Sequence, residues 1–244
     1  MTKNIGCWFA AAVLMSFAAQ SDAVPITFEF NAAPYSVGWN GSEADVPAPF
    51  NNTANVWGSL ISGSFTIESD TPATPFSIDH NGSWLTLLGS YDNPVTQADF
   101  TVAGQQFSFD SSRADAYSLG TVIDLPSPAT DPTLNYDWIG VDINLGAGLF
   151  SGEYSHLVTT LSLSRTERDP GIIASTDLLG NLMPSTNWSV FFTIYDPGSF
   201  DWYQIHAPVT SLTQVSSVPE PTTSALLGVA LVLGFSTLGR RKRA

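Results

Sequence analysis

Of the 244 residues in the chain, a single one is cysteine, and only eight are lysine or arginine against 22 aspartates and glutamates. The cysteine, Cys7, falls in an N-terminal stretch that reads as a removable leader. A mature chain without it can form no disulfide, no cysteine-ligated metal site and no thiol nucleophile. A chain of this length can close a hydrophobic core without such staples. The few cations sit mostly at the ends. Lys3 is near the start, and Arg240, Arg241, Lys242 and Arg243 are at the finish. Only Arg113, Arg165 and Arg168 lie between, against 20 acids from Val24 to Ser217, a balance of −17. That field repels nucleic acid and anionic lipid, so no nucleic-acid partner is expected. Water, cations and neutral partners such as sugars remain.

Signatures of catalysis are scarce as well. There is no Gly-x-Ser-x-Gly elbow for a serine hydrolase. His80, His156 and His206 are far apart in sequence and match no metal-ligand spacing. His80 reads as a solvated turn histidine in "IDHNGS", and His156 and His206 as solvated residues near strand ends. With so many acids, a pair of carboxylates at glycosidase spacing carries no information. "DPTLNYDWIGVDIN" offers Asp131, Asp137, Asp142 and Asn144 to a calcium ion but lacks the Asp-x-Asp-x-Asp-Gly loop. No cofactor is expected, a structural calcium being the one exception left open. The protein reads as a non-enzyme.

What is present is apolar and aromatic. Charged residues make up 12% of the chain, against about a quarter in an average globular protein. With 15 Phe, 7 Trp and 7 Tyr, the composition calls for a packed core rather than disorder. From Val24 onward, short runs rich in Phe, Val, Ile, Thr, Trp and Tyr alternate with turn signals. "PITFEF", "SGSFTIES", "WLTLL", "ADFTVAG", "QQFSFD", "WIGVDINL", "LVTTLSLS", "WSVFFTIYD" and "DWYQIHAPVTSLTQV" read as strands. "ADFTVAGQQFSFD" is the clearest hairpin, with its turn at Ala103-Gly104. One short helix is expected in "ASTDLLGN", capped by Ser175 or Thr176 and ended by Gly180. "NGSEADVPAPFNNTAN" and "LPSPATDPTLN" read as long surface loops. The expected fold is an all-β, jelly-roll-like antiparallel β-sandwich of about ten strands over residues 24–215. Trp39, Trp57, Trp84, Trp188 and Trp202 are candidates to stack on sugar rings, although most tryptophans of a small sandwich belong to its core. Asn40, Asn51, Asn81 and Asn187 begin Asn-x-Ser/Thr sequons, which here mark surface loops.

The two ends are of a different kind. "MTKNIGCWFAAAVLMSFAAQSDAVP" has a positive start at Lys3, an apolar run from Cys7 to Ala19, and small residues at Ser21 and Ala23. These are the parts of a secretory signal peptide over residues 1–23, cleaved between Ala23 and Val24, which implies the Sec export machinery. At the other end, residues 216–244, Thr222 to Gly239 is an uncharged run of 18 residues. As a helix it spans about 27 Å, close to a hydrocarbon core of roughly 30 Å. Arg240 to Arg243 would hold the tail in the cytoplasm. Pro219 and Pro221 keep the chain before the span extended.

This order of "VPEP", apolar span and "RRKR" resembles the PEP-CTERM sorting signal of Gram-negative bacteria. The resemblance implies that Pro219, Glu220 and Pro221 are the recognition motif for an exosortase, a membrane processing enzyme that cleaves at or near it. It implies that Arg240, Arg241, Lys242 and Arg243 are the cytoplasmic retention charge. A transmembrane anchor that is never processed is the alternative. The middle also resembles a domain found in many PEP-CTERM proteins, through Gly63–Thr66, Asp70-Thr71-Pro72, Val102–Phe107, Leu182-Met183-Pro184, Ser189–Thr193 and Thr210–Thr213. Members are described as exported proteins linked to exopolysaccharide and biofilm, with no activity to carry over. The expectation is therefore a surface or matrix protein, held briefly in the inner membrane and associated with extracellular polysaccharide. A secreted glycan-active enzyme and a calcium-dependent adhesin are its rivals.

Overall fold

The computed structural model describes residues 25–41, 46–69, 71–80, 83–123, 137–167, 178, 182 and 187–215, and of these the side chains at 75–88, 137 and 167 are not described. Pro25–Ser216 forms one compact unit. Its strands are β1 (Pro25–Ala32), β2 (Ser36–Trp39), β3 (Ile61–Glu68), β4 (Ala73–His80), β5 (Ser83–Asp92) and β6 (Val95–Val102). They continue with β7 (Gln105–Asp110), β8 (Tyr117–Ile123), β9 (Asp137–Gly146), β10 (Val158–Glu167), β11 (Trp188–Tyr195) and β12 (Trp202–Val215). A five-residue helix, α1 (Thr53–Trp57), lies between β2 and β3. The fold is antiparallel β, as expected, with twelve strands among the described residues instead of about ten.

Eleven strands run in the order β4-β5-β8-β9-β10-β11-β12-β1-β3-β6-β7, and β2 adds to β12 beside β1. The three strands absent from the sequence reading each hide their signal. β2 has four residues, one of them Gly38. β4 contains Pro75, a residue that argues against a strand. β8 is interrupted by Gly120, where a Cβ would stand 2.6 Å from the Leu178 side chain. A glycine that reads as a strand breaker is thus a packing site.

The sheet curls at β12. Tyr203, Ile205, Ala207 and Val209 are buried, then the alternation slips and Leu212 is buried. Asn31 pairs with Ser211 and Ala32 with Val209, so Thr210 is an extra residue, a bulge that resets the buried face. Its Oγ1 donates to the Asn31 carbonyl at 3.1 Å. Prolines mark the same corner on both of its sides. Pro34 separates β1 from β2, and Pro208 ends the pairing of β12 with β11. The first half of β12 therefore lies between β11 and β2, and its second half continues alongside β1.

The two arms of the curled sheet share one aromatic core. Phe100 and Phe107 come from the β6–β7 hairpin, and Phe192 comes from β11. Phe107 meets Phe192 at 5.2 Å with its ring tilted by 51°, and stacks on its hairpin partner Phe100 at 5.6 Å. The hairpin turns at Ala103-Gly104 with φ of 51° and 79°, as a two-residue turn requires. Phe50 completes the cluster against Phe192 at 5.2 Å and against Phe107, Phe150 and Tyr203. It is wholly buried, and Val46 is buried with it. The stretch expected to be a surface loop therefore sends a plug into the core and then forms α1, capped by Asn52 accepting from the Ala54 N–H at 3.1 Å. Of the expected helix at 174–181 only Leu178 lies within the described residues, and it is buried; the loop at 125–135 lies outside them.

Gly63 sits between Phe30 and Phe100 in neighbouring strands. A Cβ there would collide with the Asp99 carbonyl oxygen and the Phe100 Cβ. Gly63→Ala should cost about 1–3 kcal/mol through forced strand separation. Phe50→Ala should cost about 3–5 kcal/mol through the cavity it leaves. Urea unfolding of the variants measures both, and a Phe50→Ala midpoint equal to wild type would show that the plug is dispensable.

Candidate functional site

The turn joining β11 to β12 is "DPGSFD", Asp196 to Asp201. Two backbone bonds close it, Asp196 N–H to the Asp201 carbonyl and Phe200 N–H to the Asp196 carbonyl, each 2.9 Å. Phe200 occupies its tip at φ 63° and is exposed. Asn40 pins the turn from the other side. Its Oδ1 accepts from the Trp202 N–H at 2.6 Å, and its Nδ2 donates to the Phe200 carbonyl at 3.3 Å. The sequon asparagine is therefore a structural clamp. Asn51 lies in an exposed turn, Asn187 is exposed just before β11, and Asn81 is outside the described residues.

Beside this turn is a cleft of about 430 Å³, walled by Trp39, Glu153, Tyr154, His156, Asp196 and Asp201 among others. The Ser199 hydroxyl lies 3.1 Å from Asp196 Oδ2 and 2.8 Å from Asp201 Oδ2, so its one proton serves either carboxylate in turn. Asp196 also accepts from the Gly198 N–H at 2.7 Å, and His156 Nε2 stands 3.4 Å from its Oδ2. The Gly198 N–H foremost, then the Ser199 and His156 contacts, hold the Asp196 carboxyl below the ordinary aspartate range. A carboxylate so stabilised accepts hydrogen bonds from hydroxyl groups. It is a poor general acid, which needs the opposite shift.

The aromatic candidates divide. Trp188 is buried, as the core assignment requires. Trp39, Trp57 and Trp202 are 43, 50 and 38% exposed, so the expectation that most would be core fails for these three. Trp84's side chain lies outside the described residues. Trp39 and Trp202 flank the cleft and Trp57 does not. Trp202 can turn its ring outward because Gly38 lies beneath it; a Cβ there would press on the indole at 3.2 Å. Tyr117, Tyr195 and Tyr154 were not singled out in the sequence, and strand register alone could have found the first two.

The histidines also divide. His156 is exposed at the cleft. His206 lies within β12, not at a strand end, and is no solvated residue. Its ring stacks on Phe191 at 4.5 Å and 3°, with the Tyr35 ring edge-on at 6.1 Å. Burial pushes its pKa down. His80's side chain is outside the described residues.

The residues proposed for calcium are otherwise engaged or not described. Asp142 accepts a short hydrogen bond from Ser162, and Asn144 Oδ1 accepts from the Gly146 N–H at 2.7 Å. Asp131 and the Asp137 side chain lie outside the described residues. Among the described residues, no three His, Cys, Asp or Glu side chains gather as a metal site. Nor is any described helix long and apolar enough to cross a membrane. The signal peptide with its Ala23–Val24 junction, Pro219, Glu220, Pro221 and Arg240, Arg241, Lys242 and Arg243 all lie outside the described residues.

Asp142 yields a pH prediction. Desolvation raises its pKa above the unfolded value near 3.8, only partly opposed by Ser162. Its ionisation as pH rises past that value therefore costs stability, and the cost grows until pH exceeds the raised value of the folded state. Asp142→Asn keeps an oxygen for Ser162 and removes the charge. At pH 7 it should raise the melting temperature by a few degrees. The gain should fade as pH drops towards 3.8; a gain that is independent of pH, or a loss, would refute the assignment.

A family model described as the PEP-CTERM protein-sorting motif matches residues 217–243. No curated protein and no solved structure matches the chain. The protein thus carries a PEP-CTERM sorting motif at residues 217–243, the mark of an exported protein processed in the membrane by an exosortase.

Proposed function

We propose that the protein is a non-enzymatic component of the cell surface or extracellular matrix that associates with exopolysaccharide in a biofilm. It leaves through the Sec machinery and loses residues 1–23. The helix over Thr222–Gly239 then holds it in the inner membrane, with Arg240 to Arg243 on the cytoplasmic side. The exosortase cuts near Pro219-Glu220-Pro221 and frees the folded domain outward. The observation that carries this reading is the sorting-motif match at 217–243. The curled sheet is read as the working sandwich, with its ends and outer face offered to partners. The acidic balance of the domain favours neutral polymers over anionic ones as partners.

The test is mass spectrometry of both termini in membrane, surface and medium fractions. Wild type should begin at Val24 and end near Pro219-Glu220-Pro221 outside the inner membrane. Replacing those three residues with alanine should leave a full-length tail in the membrane fraction. Normal processing of that variant, or a wild-type chain that keeps Arg240 to Arg243, would make the tail a permanent anchor and defeat the proposal.

A further inference from the structure

The outer face of the sheet carries a second cleft, of about 610 Å³, separate from the turn-end cleft except that Trp202 borders both. Its floor is a single row across five strands. Gln204 of β12 stands opposite Thr193 of β11, Thr193 opposite Thr160 of β10, Thr160 opposite Asn144 of β9, and Asn144 opposite Tyr117 of β8. A parallel row begins with Trp202 opposite Tyr195 and continues to Val158. Every member is on the face opposite the core, because Tyr203, Ile194, Thr159, Ile143 and Ser118 point inward and are buried.

The chemistry of the row is uniform. The lining has an amide and a hydroxyl already joined, Gln204 Nε2 donating to Thr193 Oγ1 at 3.0 Å, and Thr160 and Asn144 add further neutral hydrogen-bonding side chains. Among the described lining residues there is no lysine, arginine, aspartate or glutamate. Aromatic rings stand at both ends, Trp202 and Tyr195 at one and the 52%-exposed Tyr117 at the other. Four strand spacings of roughly 4.8 Å separate β12 from β8, a reach of about 19 Å. That length suits an extended oligomer and exceeds a single small molecule.

We infer that this cleft is a binding site for an uncharged polysaccharide chain, laid across the strands with sugar rings stacked on Trp202 and Tyr117. Neutral hydrogen-bonding groups between aromatic platforms complement a polymer with polar edges and apolar faces. A nucleic acid or an acidic polymer meets no cation here and is repelled by the domain's negative balance. Gly38 acts as a positioning residue, since its missing Cβ sets where the Trp202 ring lies. This inference deepens the polysaccharide association proposed above and gives it an address.

The experiment is affinity electrophoresis of the secreted protein in gels containing hydroxyethylcellulose, laminarin, dextran or, as the charged control, alginate. Wild type should be retarded by at least one neutral polymer and not by alginate. Trp202→Ala and Tyr117→Ala should each weaken that retardation about tenfold or more, the equivalent of one stacked ring. Gly38→Ala should weaken it less, and Tyr35→Ala, an exposed aromatic outside the cleft, should leave it unchanged. Melting temperatures equal to wild type show that a variant has folded, and Tyr117→Ala serves if Trp202→Ala has not. Retarded wild type with equally retarded Trp202 and Tyr117 variants overturns the cleft while leaving polysaccharide association standing. No retardation of wild type by any neutral polymer overturns both. Retardation by alginate, or a dimer that the two substitutions dissociate, also overturns the inference, the latter assigning the face to a second copy of the chain.

Discussion

β12 is bonded along its first half to β11 and along its length, in two stretches, to β2 and β1. This one strand belongs to both arms of the sheet, and the arms close on a common core only because it turns. The turn needs three local events within a few residues. Pro34 interrupts one neighbour, Pro208 ends the ladder to the other, and Thr210 adds the residue that returns Leu212 to the buried side. Without the added residue, period-two alternation would carry Ser211 inward and Leu212 out.

The aromatic cluster fills the space this corner creates. Phe50 enters it from a loop, Phe100 and Phe107 from one arm, and Phe192 and Tyr203 from the other. No ring comes from a distant element by accident of length: each strand contributes from its inward face. The consequence for function is on the opposite face. Once odd-numbered residues of β9 and even-numbered residues of β11 are committed inward, Asn144, Thr193 and Tyr195 are committed outward, and pairing then lines them up. The polar row is a by-product of core packing, and its aromatic ends are placed by register.

The turn-end cleft is built differently. Its carboxylates are held by a six-residue turn that satisfies itself through Gly198, Ser199 and the Asn40 clamp. Asp196 draws on the Gly198 N–H, and the two carboxylates share the single Ser199 proton. The outer-face cleft is neutral by contrast. One molecule thus presents a charged mouth and an uncharged furrow, with Trp202 on the boundary between them.

The antiparallel β class, nine of the twelve strands and the β6–β7 hairpin were legible because alternation of Phe, Val and Ile with polar residues is a local property of the chain. So was the sorting signal, whose three parts are contiguous and need no fold to be recognised. The missing strands were masked by Gly38, Pro75 and Gly120, and the two glycines sit where side chains distant in sequence, Trp202 and Leu178, pack over them. Phe50 looked like a loop residue because its neighbours are Pro and Asn, and only the curled sheet makes a hole for it. His206 looked solvated because its stacking partners, Phe191 and Tyr35, are far from it in number. The sequence by itself determined the address of the protein, its strand-rich character and its acidity, all carried by adjacent residues. Tertiary structure alone decided which tryptophans reach solvent and which polar residues form a row, because those follow from register between strands far apart in the chain, as Trp39 opposite Tyr203 and the row from Tyr117 to Gln204 show.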